Sequence, residues 1–329
     1  MAKGRYSEFH QELHPYFELG SLTQLKARYV VAGEKPKLKM LNIEPTNACN
    51  MNCVFCTNKL QEEFSMMPMD LYSKIIKDLR NQPQLLILNF HKDGEPLLHE
   101  DIVDMVALAS THNVAQTYHM NTNGSHMNYH MAKQLLKAGL NDITFSVDAY
   151  LQTTFNKLKG NNLLGCVERG VMDFLQARRD TRAACCVRVK IMEHELVTKT
   201  EIDMFYDFWK HHVDQVQITG CHDWSGAVNV TCTDLPEDGA PKRYPCNLLW
   251  YTLAVNSDGS VSPCNLDWNR KMIVGNVKEE SLPNIFANSF ELIKLRHQHV
   301  QNKCLPQTCE DCVVWASGMN LGRWYGNHC

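Results

Sequence analysis

The sequence predicts an α/β fold with parallel strands, followed by a smaller C-terminal module. Between about residues 37 and 221, short apolar, β-rich runs alternate with stretches of helical periodicity. Alternation at this spacing indicates parallel strands joined by right-handed crossovers. After Cys221 the alternation stops, in a stretch rich in Gly, Pro and Asp. Six β/α units of this kind form either an open doubly wound sheet or an incomplete barrel.

The apolar runs place six strands, and the helical periods place five helices between them. The predicted strands cover residues 38–43, 84–90, 116–121, 142–147, 184–191 and 215–219. The predicted helices lie near residues 69–80, 100–112, 129–138, 162–177 and 200–211. A hairpin follows, because the apolar run 248–255 leads through the turn Asn-Ser-Asp-Gly into residues 260–263. A helix near 282–297 and a cysteine-rich tail come last.

These elements divide the chain into four segments. We expect an N-terminal extension (1–36), the β/α region (37–221), a connecting loop (222–245) and a C-terminal module (246–329). The C-terminal module has only a small core of its own, and small cores often need a metal to hold them together.

The composition excludes several classes of protein. Lys and Arg number 33 against 36 Asp and Glu, for a net charge of -3, so no cationic field indicates a nucleic-acid or anionic-membrane partner. No apolar run approaches the ~20 residues of a membrane span, and the first residues lack a signal peptide's apolar stretch. We therefore expect a soluble, cytoplasmic protein. Its 14 cysteines favour metal ligation or catalysis, because disulfides are rare in a reducing compartment.

Three of the cysteines form a motif directly after the first predicted strand. Cys49, Cys53 and Cys56 lie in Cys-Asn-Met-Asn-Cys-Val-Phe-Cys, a C-x3-C-x2-C spacing. Three thiolates so close together can converge on one inorganic centre. A structural zinc site or an ordinary 4Fe-4S cluster has four protein ligands. The spacing therefore leaves one coordination position for a molecule from outside the chain.

With Phe55 before its last cysteine, this motif resembles that of the radical S-adenosylmethionine (SAM) superfamily. The resemblance implies that the three cysteines bind a 4Fe-4S cluster whose fourth iron takes the amino and carboxylate groups of SAM. It also implies a partial (β/α)6 barrel. In this family one electron, from an external reductant of the flavodoxin or ferredoxin type, cleaves SAM to methionine and a 5'-deoxyadenosyl radical. That radical removes a hydrogen atom from the substrate.

Further short motifs at successive strand ends fit the same family. Lys-Asp-Gly-Glu-Pro (92–96) resembles the family's Gly-Gly-Glu-Pro segment, with Asp93 in place of the first glycine. Thr-Asn-Gly (122–124), Ser-Val-Asp (146–148) and an arginine on the fifth strand resemble other SAM-contacting segments. Ligands of parallel α/β sheets bind at these carboxyl ends. The residues that the resemblance assigns to SAM are Phe55, Gly94, Glu95, Asn123, Ser146, Asp148 and Arg188.

A second set of four cysteines lies in the C-terminal module. Cys246 and Cys264 flank the predicted hairpin, and Cys309 and Cys312 form a C-x2-C pair after the last predicted helix. Four thiolates suit a closed tetrahedral or cuboidal site, so the spacing alone leaves zinc open. The arrangement resembles the twitch module of the SPASM/twitch group of radical SAM enzymes. Residues 246–277 are similar to the aminocyclitol dehydrogenase of butirosin biosynthesis. This resemblance implies a second 4Fe-4S cluster.

The resemblance implies oxidation of a sugar or aminocyclitol carbinol, with the second cluster as electron acceptor. The expected substrate is thus a small, carbohydrate-like molecule. Cys221 follows the sixth predicted strand and is a candidate hydrogen donor for the alternative reaction, epimerisation. His222 and Asp223 lie where a substrate loop is expected and are candidate catalytic residues.

Two further alternatives stay open from the sequence. Peptide modification is a weaker hypothesis, since the 36 residues before the first predicted strand are few for a leader-binding domain. A zinc-stapled binding protein without redox chemistry is an alternative of a different class. The identity of the substrate does not follow from the sequence.

Overall fold

A ten-stranded sheet organises the part of the chain that the structure describes. This computed structural model describes residues 35–230, 243, 245–312, 314–317 and 323–326. Most of the expected N-terminal extension and residues 231–242 of the expected connecting loop lie outside the described residues. The strands are, in chain order, β1 (Met40–Ile43), β2 (Leu85–Asn89), β3 (Ala115–Thr122), β4 (Asp142–Ser146), β5 (Cys186–Met192), β6 (Gln215–Thr219), β7 (Thr252–Val255), β8 (Ser260–Ser262), β9 (Gly275–Asn276) and β10 (Arg323–Gly326).

The helices agree with the predicted ones at most positions. They are, in chain order, α1 (Met69–Leu79), α2 (Ile102–Thr111), α3 (Tyr129–Ala138), α4 (Gln152–Lys159), α5 (Leu164–Thr181), α6 (Lys199–Trp209), α7 (Leu282–Asn288), α8 (Phe290–Gln301), α9 (Gln307–Glu310) and α10 (Val314–Ser317). The sequence did not predict α4, because its two Thr and one Asn have low helix propensity. The predicted helix 282–297 is two helices, because Ser289 ends α7 and its hydroxyl caps α8.

The order of the strands decides between the two sheet types that the sequence left open. Strands β1 to β6 are neighbours in ascending order, and each pairs in parallel with the next. A doubly wound sheet reverses its strand order at a switch point. The ascending order therefore confirms the partial (β/α)6 barrel.

The C-terminal hairpin extends this barrel sheet, a feature that the sequence did not predict. Strand β7 pairs in parallel with β1, with Met40 beside Thr252, and β8 and β9 follow in antiparallel pairing. At the other edge, β10 pairs antiparallel with β6. The C-terminal module thus shares backbone hydrogen bonds with the barrel, so its position relative to the barrel strands is fixed.

Alternate residues of the parallel strands face two different environments, as strand geometry requires. Ile143 and Phe145 of β4 and Val187 of β5 belong to the core cluster that also contains apolar helix residues. Asp142 and Arg188, at alternate positions, are buried polar residues. The outer layer of the barrel is therefore an apolar core, with each large apolar side chain contributing about 1.5–3 kcal/mol on burial. The inner face is polar.

The loops after the parallel strands gather on one side, which we call the carboxyl rim. They comprise the three-cysteine loop after β1 and residues 92–96 after β2, together with the turns that follow β3, β4 and β6. Parallel strands end on the same side of a barrel, and ligands bind there. Among the described helices, none has the length and apolarity needed to cross a bilayer.

Candidate active site

The three-cysteine loop lies on the carboxyl rim directly after β1. The Asn58 N–H donates to Cys56 Sγ, with 3.4 Å between nitrogen and sulfur, and the Cys56 N–H donates to the Cys53 carbonyl. Burial raises the pKa of Cys49 to about 11 and that of Cys56 to about 12, and the neighbouring thiols add to this effect. Such thiols ionise when a metal centre supplies the compensating positive charge.

Helix α4 holds the three-cysteine loop in place. The Asn52 N–H donates to the Lys159 carbonyl with an N–O distance of 3.0 Å, and the Val54 N–H donates to the Leu158 carbonyl at 2.9 Å. Gly160 follows with a left-handed backbone (φ +70°), and a side chain there would lie 2.9 Å from the Asn52 carbonyl oxygen. The last turn of α4 therefore sets the backbone around the cysteines.

Residues 92–96 pack against the same loop from the side of β2. The Glu95 N–H donates to the Ala48 carbonyl at 2.8 Å, and the Asn58 side-chain amide donates to the Asp93 carbonyl at 2.9 Å. A side chain at Gly94 would lie 2.2 Å from the Thr46 carbonyl oxygen, so only glycine fits this close approach.

The Glu95 carboxylate is buried and already accepts three hydrogen bonds. Oε1 accepts from the Leu97 N–H (3.1 Å) and the Thr122 hydroxyl (2.5 Å), and Oε2 accepts from the Asn123 N–H (2.6 Å). A carboxylate has about four acceptor positions, so one position on Oε2 remains for a ligand. Asn123 in turn donates through its side-chain amide to Asn50 Oδ1 at 2.9 Å. Both residues thus join the β2 and β3 loops on the rim.

Asp93, which departs from the family's glycine, takes part in a buried charge network with the C-terminal module. Burial raises the pKa of Asp93 to about 7, although its ion pair with Lys92 opposes that shift. The Lys92 ammonium also donates to the Asp267 carbonyl at 3.3 Å. The Glu44 Oε2 accepts from Arg270 Nη2 at 2.8 Å. Lys92 and Glu44 therefore link the barrel to the C-terminal module, and Asp93 pairs with Lys92 in this network.

The turn after β4 carries a buried ion pair that the sequence analysis missed. The Lys159 ammonium donates to Asp148 Oδ2 at 2.6 Å and to the Ser146 carbonyl at 3.0 Å. It lies 5.4 Å from the centre of the Phe55 ring. The Ser146 hydroxyl donates to Asn121 Oδ1 at 3.0 Å. Asp148 Oδ1 is buried and has no hydrogen-bond partner among the described residues. One sequence signal could have indicated that Lys159 is buried. Lys159 follows the apolar Phe155 by four residues, so both lie on the same buried face of α4.

Arg188 does not lie where the resemblance placed it. Its guanidinium is fully buried, pairs with both oxygens of Asp142 and donates to Gln215 Oε1 at 2.8 Å. Asp142 and Gln215 are the first residues of β4 and β6, so this network belongs to the amino ends of those strands. The contact between Arg188 and SAM that the resemblance implies stays a prediction, and this buried network argues against it.

Lys190 is the cation on β5 that lies nearer the rim. It pairs with Ser146, the last residue of β4, and acts electrostatically on Cys53 and on His91. Its ammonium has no hydrogen-bond or ion-pair partner within the described part of the chain. The sequence signal was its position two residues after Arg188, on the same face of the strand.

The loop after β6 contacts both cysteine sites. The Trp224 indole N–H donates to the Phe55 carbonyl at 3.0 Å, and the Ser225 hydroxyl donates to the Thr308 carbonyl at 2.8 Å. Trp224 packs against the same buried apolar cluster as three cysteines of the second set, Cys246, Cys264 and Cys312. This loop thus connects the residue before Cys56 with the residue before Cys309, a role that sequence analysis did not assign to Trp224.

The candidate catalytic residues begin this loop. Cys221 is buried, and its thiol donates to the Glu193 carbonyl with 3.1 Å between sulfur and oxygen. The His222 ring centre lies 6.5 Å from that of Trp224. Asp223 Oδ1 accepts from the Ser225 N–H at 3.1 Å. All three candidates therefore lie on the carboxyl rim, where the sequence placed them.

The four cysteines of the second set, Cys246, Cys264, Cys309 and Cys312, line one cavity in the C-terminal module. Burial raises the pKa of Cys309 to about 12 and that of Cys264 well above its usual value, and the neighbouring thiols raise them further. Arg243 lines the same cavity, donates to the carbonyls of Cys309 and Glu310 and lies 5.2 Å from the Trp315 ring centre. The structure therefore brings the four thiols together across a sequence span of 67 residues, 246–312.

Two family models match the chain. That of the radical SAM superfamily matches residues 43–181, and that of the SPASM iron-sulfur cluster-binding domain matches residues 246–313. The first match contains the three-cysteine loop, and the second contains all four cysteines of the other site.

Named relatives and solved structures agree with these matches. The tungsten-containing aldehyde ferredoxin oxidoreductase cofactor-modifying protein of Pyrococcus furiosus is 30% identical over 145 residues, which are 44% of this chain and only 40% of that protein. The SAM-dependent 2-deoxy-scyllo-inosamine dehydrogenase of Niallia circulans is 23% identical over 282 residues, 84% of this chain and 94% of that protein. Streptococcus suis SuiB bound to precursor peptide SuiA has the same fold, with a TM-score of 0.66 at 14% identity over 82% of this chain and 69% of that one. Residues 43–181 of this chain are thus similar to the radical SAM superfamily, and residues 246–313 are similar to the SPASM iron-sulfur cluster-binding domain.

Proposed function

We propose that this chain is a two-cluster radical SAM enzyme that oxidises a carbinol of a sugar or aminocyclitol. In this proposal Cys49, Cys53 and Cys56 hold the SAM-cleaving 4Fe-4S cluster. The single observation that carries it is the loop after β6, because its Trp224 and Ser225 donate to the carbonyls of Phe55 and Thr308, the residues directly before Cys56 and Cys309. Cys246, Cys264, Cys309 and Cys312 would hold a second group, which would supply the electron acceptor.

The rim residues fit SAM by charge and hydrogen-bonding capacity. Asp148 Oδ1 is a buried acceptor without a partner among the described residues, and one acceptor position of Glu95 is open. These oxygens suit the amino group and the ribose hydroxyls of SAM. Lys190, which replaces Arg188 in this role, is a cation suited to the SAM carboxylate. Gly94 allows residues 92–96 to approach the Thr46 carbonyl closely, and the Phe55 ring lies 5.4 Å from the Lys159 ammonium.

The second site fits an auxiliary 4Fe-4S cluster better than zinc. Its four cysteines supply all four ligands that such a cluster needs. The family model that matches residues 246–313 is that of an iron-sulfur cluster-binding domain. This match favours a 4Fe-4S cluster over the zinc-stapled binding protein.

When bound, the first cluster and SAM supply hydrogen-atom abstraction, and the auxiliary cluster accepts the one electron that converts the substrate radical to a ketone. The chain itself positions the substrate and removes the carbinol proton, for which His222 and Asp223 are the candidate bases. A flavodoxin- or ferredoxin-type partner supplies the electron for SAM cleavage. The dehydrogenase of Niallia circulans supports this reaction class, because the similarity extends over 94% of its length.

Epimerisation is the second candidate reaction, and the position of Cys221 favours it. A thiol on the carboxyl rim is a chemically suitable hydrogen donor to a carbon radical. Against it, the Cys221 thiol donates to the Glu193 carbonyl and is buried, so its hydrogen is directed at the protein. We therefore place oxidation first.

The test uses aminocyclitols and sugars that carry deuterium at the carbinol carbon. The anaerobically reconstituted protein, reduced with dithionite, is expected to transfer that deuterium into 5'-deoxyadenosine and to release a ketone. Deuterium transfer from none of these substrates, with transfer instead from a peptide, contradicts the proposed substrate class.

A further inference from the structure

A buried histidine faces the auxiliary-cluster cavity and has no role in the reaction proposed above. His299 lies in the last turn of α8, and its side chain lines the cavity that the four cysteines share. The residue is almost completely buried, at 3% exposure. Two residues earlier on the same helix, His297 is exposed.

One hydrogen bond fixes the tautomer of this histidine. The Cys246 backbone N–H donates to His299 Nδ1 with an N–N distance of 3.3 Å. Nδ1 therefore has a lone pair and no hydrogen, so the ring hydrogen is on Nε2. Nε2 is buried and has no hydrogen-bond partner among the described residues.

Among the described residues, none accepts a hydrogen bond from this N–H group. Besides His299 and the cysteines, the cavity lining is largely apolar apart from Thr308 and Arg243, and the Arg243 guanidinium only donates. A buried N–H without an acceptor is destabilising, so its retention in the cavity wall indicates a group that the cavity holds. Sulfide and thiolate sulfurs of an iron-sulfur cluster accept hydrogen bonds.

We infer that His299 Nε2–H donates a hydrogen bond to a sulfur of the auxiliary cluster and makes that cluster easier to reduce. This inference rests on the proposed function, because it requires the second cluster. A hydrogen bond to cluster sulfur favours the reduced, more negative form and so raises the reduction potential. His299 is in this sense a positioning residue. It sets the reduction potential at which the auxiliary cluster accepts an electron from the substrate radical.

The test is an EPR-monitored redox titration of the full chain in which Cys49, Cys53 and Cys56 are Ala, so that only the auxiliary cluster reports. His299→Leu is expected to make reduction about tenfold less favourable, which is about 59 mV for a one-electron couple. Iron content is expected to stay unchanged, and His297→Leu is the matched control without effect. His299→Gln, which keeps an N–H donor, is expected to recover part of the loss.

An unchanged potential in His299→Leu at full iron content overturns the inference. If the His299→Leu variant does not take up iron, the triple-alanine chain that keeps His299 is measured instead. With histidine labelled with nitrogen-15, pulsed EPR of the reduced auxiliary cluster is expected to show a nitrogen coupling, and its absence overturns the inference. A triple-alanine chain that holds no iron contradicts the proposed auxiliary cluster itself, which distinguishes the two failures.

Discussion

Lys159 and Asp148 form a buried ion pair on the carboxyl rim, with 2.6 Å between Nζ and Oδ2. The pair joins the turn after β4 to the three-cysteine loop, because the Lys159 carbonyl accepts the Asn52 N–H. Asp148 has a left-handed backbone (φ +63°), which is unfavourable for a residue with a side chain. The ion pair holds Asp148 in this conformation and leaves Oδ1 available for a ligand.

Breaking this ion pair is expected to destabilise the fold. Lys159→Met leaves the Asp148 carboxylate buried without its cation, so the free energy of unfolding should fall by about 3–5 kcal/mol. Urea unfolding of the anaerobic apoprotein measures this change. Lys157→Met, at an exposed position of the same helix, is the matched control and should change stability by less than about 0.5 kcal/mol. Equal stability of the two variants would contradict the structural role of the pair.

Substitution of Lys190 should weaken SAM binding, whereas substitution of Arg188 should not. Lys190→Met removes the cation proposed for the SAM carboxylate, so the Kd should rise by about 10- to 150-fold, the equivalent of about 1.5–3 kcal/mol. Arg188→Met should leave the Kd of the folded fraction unchanged and destabilise the protein, because Asp142 loses its partner. Equilibrium dialysis of SAM with the iron-loaded variants measures the two Kd values. A larger rise in Kd for Arg188→Met than for Lys190→Met would favour Arg188 as the residue that contacts SAM.

Much of the site was predictable because it depends on local spacing. The C-x3-C-x2-C motif and the position of Glu95 and Asp148 after strands follow from short stretches of sequence. The sequence did not reveal how far along the barrel axis the Arg188 side chain lies. That position depends on its contacts with Asp142 and Gln215, which are 46 and 27 residues away. Periodicity gives the face of a strand but not the level of a side chain along the barrel.

Long-range pairing explains the other features that the sequence did not reveal. Strand β7 lies beside β1 although more than 200 residues separate Asn42 from Leu253, whose carbonyl accepts from the Asn42 amide. Helix α4 escaped prediction because of its Thr and Asn content, and Lys159 was missed with it. Trp224 lies in a loop, where its contact with the Phe55 carbonyl has no local sequence signal.

Protonation of Asp142 in acid should lower the free energy of unfolding of the protein. Burial alone would raise the pKa of Asp142, but the charges of Arg188 and His119 lower it to about 2, from 3.8. A carboxyl with a lowered folded-state pKa contributes stability that is present above about pH 4 and is lost as the pH falls towards 2. Urea unfolding between pH 2 and pH 6 should show this loss, and it should be smaller in Asp142→Asn. The same acid dependence in both chains would exclude Asp142 as its source.

Cys221 distinguishes oxidation from epimerisation. If the reaction is oxidation, product formed in heavy water carries no solvent deuterium at the reacting carbon, and Cys221→Ala keeps substantial activity. The thiol's hydrogen bond to the Glu193 carbonyl agrees with this expectation. Mass spectrometry of the product measures the label. One deuterium per product, lost in Cys221→Ala together with the product, would instead establish the epimerase.

The central claim is that Cys49, Cys53 and Cys56 hold the cluster that cleaves SAM, separate from the cluster held by the other four cysteines. The most direct measurement is 5'-deoxyadenosine formation with dithionite, together with the iron and sulfide content of the anaerobically reconstituted chain. We predict about eight iron atoms per chain, and about four with no SAM cleavage when all three residues are Ala. Continued 5'-deoxyadenosine formation by that triple variant would contradict the account.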